Sequence, residues 1–144
     1  MVFDIGGVLE DTPDLGVASQ WEARLGLEPG EFQRRLAPVW AAGGVGAISL
    51  TEVHQQVGMW LALSPQEVDE LMGDVWREYL GSLNQPLADF LGSLRPHFRT
   101  AILSNSFVGA REREQQLYGF EELVDFIVYS HEVGMSKPEA DIYP

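Results

Sequence analysis

The chain contains no cysteine in its 144 residues, which excludes disulfides, thiolate metal sites and a cysteine nucleophile without identifying a compartment. It is also poor in positive charge, with nine Lys and Arg against 22 Asp and Glu and a formal net charge of -13. A field of that sign repels nucleic acid and anionic membrane surfaces, so neither is expected as a partner. An anionic small substrate would need local positive charge, and Lys137 is the only lysine, the other eight basic residues being arginines. Long hydrophobic runs are absent although 45% of the residues are hydrophobic, so no spanning segment is read. The acid at position 4 does not fit the basic-then-apolar order of a secretory leader, and a cytoplasmic setting is the expectation. Nothing in the sequence specifies an oligomeric state.

What is present begins with MVFDIGGVLEDTP. A short apolar run, Met1 to Phe3, ends on Asp4 and is turned by Gly6 and Gly7, the pattern of a buried strand that places a carboxylate at its carboxyl end, where open α/β sheets keep their ligand sites. From Leu15 to about Leu80 apolar residues recur three and four apart (Phe32, Leu36, Val39, Trp40; Val53, Val57, Trp60, Leu61; Val68, Leu71, Met72, Val75, Tyr79), which predicts an all-helical segment. Ser49 with Glu52 and Ser64 with Glu67 have capping-box spacing, and Pro65 suits a first helical turn. Gly43 to Gly46 is expected to separate two helices. Trp21, Trp40, Trp60 and Trp76 all fall in this segment and are expected to form a small aromatic core.

After Asn84 the pattern changes. Pro86 opens a helix with Leu87, Phe90, Leu91 and Leu94 on one face, Pro96 stops it, and a strand follows over 100–103. A polar turn of Ser104, Asn105 and Ser106 leads to an amphipathic helix over 108–118 and a buried strand over 126–129. Strand, helix and strand in this order predict a parallel sheet. Asp4, Ser104 with Asn105, and Lys137 would then meet at one sheet edge. An aspartate there can attack phosphorus, the serine hydroxyl and backbone N–H groups can hold phosphate oxygens, and the lysine can offset the juxtaposed negative charge. His54, His97 and His131 are not spaced as a metal cluster and are read as structural.

DIGGVLED, the ILSNS stretch and SHEVGMSKPEADIYP, in this order around a helical insertion, resemble the haloacid dehalogenase-like (HAD) hydrolase superfamily. The resemblance implies an α/β fold: a Rossmann-like parallel sheet core over residues 1–13 and 83–144, with a helical type 1 cap over 14–82 inserted after the first strand. It further implies Asp4 as nucleophile, the Gly6 carbonyl with Asp4 as magnesium ligands, Ser104 and Asn105 at the substrate phosphate, and Lys137 in both catalysis and phosphate binding. The implied activity is a Mg2+-dependent phosphatase acting on a small phosphorylated metabolite through an aspartyl-phosphate. A 2-haloacid dehalogenase, and a non-catalytic binding or regulatory protein or inactive fragment, are the alternatives.

Two positions depart from the family pattern. The acid-base aspartate expected two residues after the nucleophile is Gly6, and Glu10 or Asp11 are the nearest acids that could replace it. The acidic fourth motif that completes the magnesium site has no counterpart before Pro144. The expectation is therefore a fragment, with its core incomplete and Met1 to Phe3 on an unpaired sheet edge, and with a few residues missing at the amino end as well.

Overall fold

In the computed structural model, which describes residues 1–144, the apolar side chains sort into two clusters. One is made by four helices, α1 (Val17–Leu25), α2 (Glu31–Gly44), α3 (Leu50–Leu61) and α4 (Pro65–Leu80), whose Leu36, Val39, Val53, Val57, Leu71 and Met72 are fully enclosed. These are the positions spaced three and four apart, so one face of each helix meets the others. Both capping boxes form: Ser49 and Ser64 accept from the N–H groups of Glu52 and Glu67, whose carboxylates return to the serine N–H groups. Each satisfies two amide donors that the first helical turn leaves without partners.

The second cluster belongs to a three-stranded parallel sheet of order β1-β4-β5, built from β1 (Val2–Phe3), β4 (Ala101–Ser104) and β5 (Phe126–Tyr129). Val2 pairs with Ala101 and Phe3 with Ile102, while Ala101 through Ser104 pair with Phe126 through Tyr129. All four residues of the central β4 are buried, as a strand covered on both faces requires. Helix α5 (Gln85–Leu94) precedes β4, and α6 (Ala110–Tyr118) with the short α7 (Phe120–Leu123) links β4 to β5. Helix α8 (Ser130–Val133) follows directly, and a 3-10 turn spans Ala140–Ile142. The α/β class with a parallel sheet and a helical insertion after the first strand is thus the observed architecture. No helix is long and apolar enough to cross a membrane.

The chain leaves and re-enters the sheet layer through an antiparallel ribbon of β2 (Glu10–Asp11) and β3 (Ser82–Leu83), in which Glu10 faces Leu83 and Asp11 faces Ser82. Asn84 caps α5 and also donates to the Val8 carbonyl, fixing the return crossing to the departure.

Several expectations need correction. Helix α2 runs through Gly43 and Gly44 and ends there, so the break before α3 spans Val45 to Ser49, and Gly43 serves close packing. A Cβ on Gly43 would lie 2.2 Å from the Phe107 ring, and one on Gly46 would lie 1.9 Å from the His131 carbonyl oxygen. Trp60 is 49% exposed and Phe90 is 51% exposed, so neither joins a core. The predicted strand at 100–103 is shifted by one residue, so Ser104 ends β4 and does not belong to the turn. In α6 the apolar Leu117 faces outward while the acid Glu114 is buried.

Candidate active site

Asp4 follows β1 directly, and its carboxylate is partly exposed. One oxygen, Oδ1, accepts from the Ile5 N–H at 2.8 Å; the other, Oδ2, lies 2.5 Å from the Lys137 ammonium. Lys137 Nζ also donates to the Leu103 carbonyl at 3.1 Å, so the ammonium bridges the ends of β1 and β4. An ammonium has three N–H donors, and one remains for a ligand.

Asn105 secures this lysine through the main chain. Its Oδ1 accepts from the Lys137 N–H at 2.7 Å and its Nδ2 donates to the Lys137 carbonyl at 3.2 Å. Ser104 is buried, and its hydroxyl donates to the Asn105 carbonyl at 3.2 Å. The structure thus brings Asp4, Lys137 and Asn105 into one bonded group. Ser104 and Gly6 border a cavity of about 200 Å³, whereas Asp4 and Lys137 open onto a neighbouring one of about 400 Å³ walled by Val2, Phe3 and Leu103.

Sequence reasoning missed the chemistry beneath the smaller cavity. Glu10 and Glu114 line it and are each only 1% exposed. Their carboxyls lie close enough to act on each other's charge, and the Oε1 of each is buried with no hydrogen-bond partner. Two ionised carboxylates buried side by side repel each other and lose their hydration, so one of the pair carries a proton. Burial, reinforced by the Glu114 charge, pushes Glu10 up to about 9. Burial also pushes Glu114 up, to about 7, against the opposing pull of the Tyr129 hydroxyl, which donates to its Oε2 at 2.5 Å, and of Arg111. The sequence singles out Glu10 as an acid near Gly6, but for its partner the only signal is the spacing of Ala110 and Glu114, four apart on one helix face. Asp11, the other acid considered near Gly6, is exposed.

The polar turn holds a second cluster. Ser106 Oγ is 2.6 Å from His131 Nδ1, its N–H donates to Ser130 Oγ at 2.8 Å, and Ser130 Oγ donates to the Gly44 carbonyl at 2.7 Å. Burial pulls His131 below its ordinary range. Ser130 therefore fastens the end of α2 to the loop after β4, and His131 holds the same loop through Ser106.

No family model matches the chain, and no curated protein matches it. Solved structures do. A HAD family enzyme, BT-2542 of Bacteroides thetaiotaomicron, superposes with a TM-score of 0.80 at 19% identity, over 98% of this chain and 72% of its own. The chain has the HAD fold. A complex of the same Bacteroides enzyme with magnesium and inorganic phosphate matches with a TM-score of 0.77 at 20% identity, covering 98% of this chain and 73% of that one. A predicted HAD-like family hydrolase from Porphyromonas gingivalis gives 0.76 at 22% identity, covering 98% and 70%. In HAD-fold terms, the Asp4–Lys137 pair lies at the carboxyl edge of the parallel sheet, the edge at which open α/β folds hold their ligands.

The donor set suits magnesium in kind. Asp4 offers a hard carboxylate oxygen and Gly6 a carbonyl on an exposed residue, and Mg2+ is commonly held by one or two carboxylates together with waters and substrate phosphate. No group of three or more His, Cys, Asp or Glu side chains is gathered to hold a metal, so the chain itself supplies only part of a coordination shell.

Proposed function

We propose that this chain carries the nucleophilic half of a magnesium-assisted phosphatase acting on a small phosphorylated metabolite. The observation that carries the reading is the contact between the Lys137 ammonium and Asp4, with the same ammonium anchored on the β4 carbonyl of Leu103. An acid that attacks an anion needs fixed positive charge, and in a chain of net charge -13 the only lysine stands beside this acid.

In this reading an Asp4 carboxylate oxygen attacks phosphorus, the P–O bond to the leaving oxygen breaks, that oxygen takes a proton from water to leave as the alcohol, and an aspartyl-phosphate forms; a water then attacks phosphorus, loses its proton to solvent and breaks the Asp4–phosphorus bond, which releases phosphate and restores the carboxylate. The third Lys137 N–H holds one phosphoryl oxygen, and the Ser104 hydroxyl, turned away from the Asn105 carbonyl it donates to in the free site, holds another. Asn105, with both polar side-chain atoms engaged by the Lys137 main chain, acts as a positioning residue and not as a direct phosphate ligand. Magnesium, held by Asp4 and the Gly6 carbonyl, would neutralise phosphate charge that the protein otherwise meets with one ammonium. The four helices, tethered through the β2–β3 ribbon, act as the cap that selects the leaving group.

Phosphate release from a panel of phosphomonoesters in the presence of magnesium tests this. Asp4→Asn should abolish turnover, and equal turnover by the wild type and the variant would remove Asp4 as nucleophile. Turnover that survives thorough chelation would overturn the magnesium requirement.

A further inference from the structure

Tyr79 lines two cavities. One is the cavity bordered by Gly6, Ser104 and the Glu10–Glu114 pair; the other, of about 210 Å³, is lined by Trp40, Val75, Trp76, Tyr79 and Phe107, with no charged side chain or amide among them. Three elements build this second cavity: α2 gives Trp40, α4 gives Val75, Trp76 and Tyr79, and the loop after β4 gives Phe107, two residues beyond Asn105. The rings meet edge to face, with Trp40–Phe107, Trp76–Tyr79 and Trp76–Phe107 centroids 5.7, 5.2 and 6.0 Å apart. The space between them stays open, whereas Leu36, Val39, Leu71 and Met72 deeper in the same helices are fully enclosed. Protein interiors are otherwise filled to crystal-like density, and an open apolar cavity beside convergent polar groups is the usual form of a ligand pocket.

Resting on the phosphatase reading of the neighbouring site, we propose that this box receives the leaving group, and that the substrate is a phosphomonoester of a neutral, ring-bearing alcohol. A polyol fits poorly, because its hydroxyls would be taken from water into a cavity of aromatic faces that offers few hydrogen-bond partners. A quaternary ammonium fits poorly as well, since the Arg113 guanidinium already sits over the Trp76 ring, 4.2 Å from its centroid, and would repel a second cation. A neutral ring meets neither objection, and removing its apolar surface from water favours binding. Gly43 belongs to the device: any side chain there would displace Phe107 from the wall.

Binding of non-hydrolysable phosphonates tests the pocket without relying on turnover. Benzylphosphonate should bind at least about tenfold more tightly than methylphosphonate, the scale of one or two buried apolar groups, with a change in tryptophan emission. Trp40→Leu should collapse that ratio toward one. So should Val75→Phe, which fills the cavity while keeping every aromatic wall, and circular dichroism melts establish that each variant is folded. Equal affinity for the two phosphonates, a ratio that survives both variants, or tighter binding of phosphocholine than of benzylphosphonate would overturn the proposal. Phosphatase turnover by Asp4→Asn equal to that of the wild type would instead remove the phosphatase reading, and the binding ratio would still report on the box.

Discussion

Replacing Glu10 with glutamine should make the protein more stable in mild alkali than the wild type. The Glu10 carboxyl is held protonated near neutrality, pushed up to about 9 from an ordinary 4.5 by burial and by Glu114. Its folded value lies above its unfolded value, so the folded state binds the extra proton, and the associated stability is present at low pH and lost as pH rises toward 9. One proton corresponds to about 1.4 kcal/mol per pH unit, so the wild type should lose about 2 kcal/mol between pH 7 and pH 8.5. For a chain of this size that is a fall of roughly 4–8 °C in thermal midpoint. Glutamine keeps the shape and carries a permanent N–H donor toward Glu114, so the Glu10→Gln protein should show little of this slope. Circular dichroism melts of both proteins at pH 7, 7.75 and 8.5, at fixed ionic strength, measure the difference. A wild type that is flat over this window, or two proteins that fall in parallel, would refute the shared-proton account.

Other outcomes follow from single contacts. Asn105→Ala frees the Lys137 main chain of two hydrogen bonds and should lower phosphatase kcat at least about tenfold with a smaller effect on KM, since about 1.4 kcal/mol of misplacement is a factor of ten; an unchanged kcat would show that the lysine is held without it. Gly46→Ala would bring a Cβ to 1.9 Å from the His131 carbonyl at a backbone φ of +68°, at a cost of about 2–4 kcal/mol read by urea unfolding. Ser64→Ala removes one capping box at the start of α4 and should cost about 1 kcal/mol, and a cost below a few tenths would mean that packing alone sets that helix start.

Much of the fold was legible because periodicity and caps are local. Val53, Val57 and Leu61 lie on the buried face of α3 at the spacing that predicted it, and Ser49 and Ser64 start their helices where the capping boxes placed them. The β2–β3 ribbon was invisible, since two residues a side carry no alternation, and its pairing joins positions about seventy residues apart. Trp60 and Phe90 misled because an aromatic at core spacing states a preference for burial, while the packing of neighbouring elements decides which edge of the helix face is covered. At the site, the lone lysine and the acid after an apolar stub were readable as chemistry. The Asn105 contact with Lys137 and the Glu10–Glu114 pair were not, because each depends on two segments meeting in space, and Glu114 sits in a run of charged residues that reads as a solvated helix face.

Only two aliphatic amines exist on this chain, the amino terminus, which donates to the Arg99 carbonyl, and the Lys137 side chain, which is bonded to Asp4 and Leu103. Any reagent that acylates, carbamylates or reductively methylates amines therefore has a single side-chain target, and that target lies in the candidate site. A mass shift of one adduct, localised to the peptide carrying Lys137, becomes a direct titration of how accessible the site is, and its suppression by a ligand reports occupancy with no enzymatic assay.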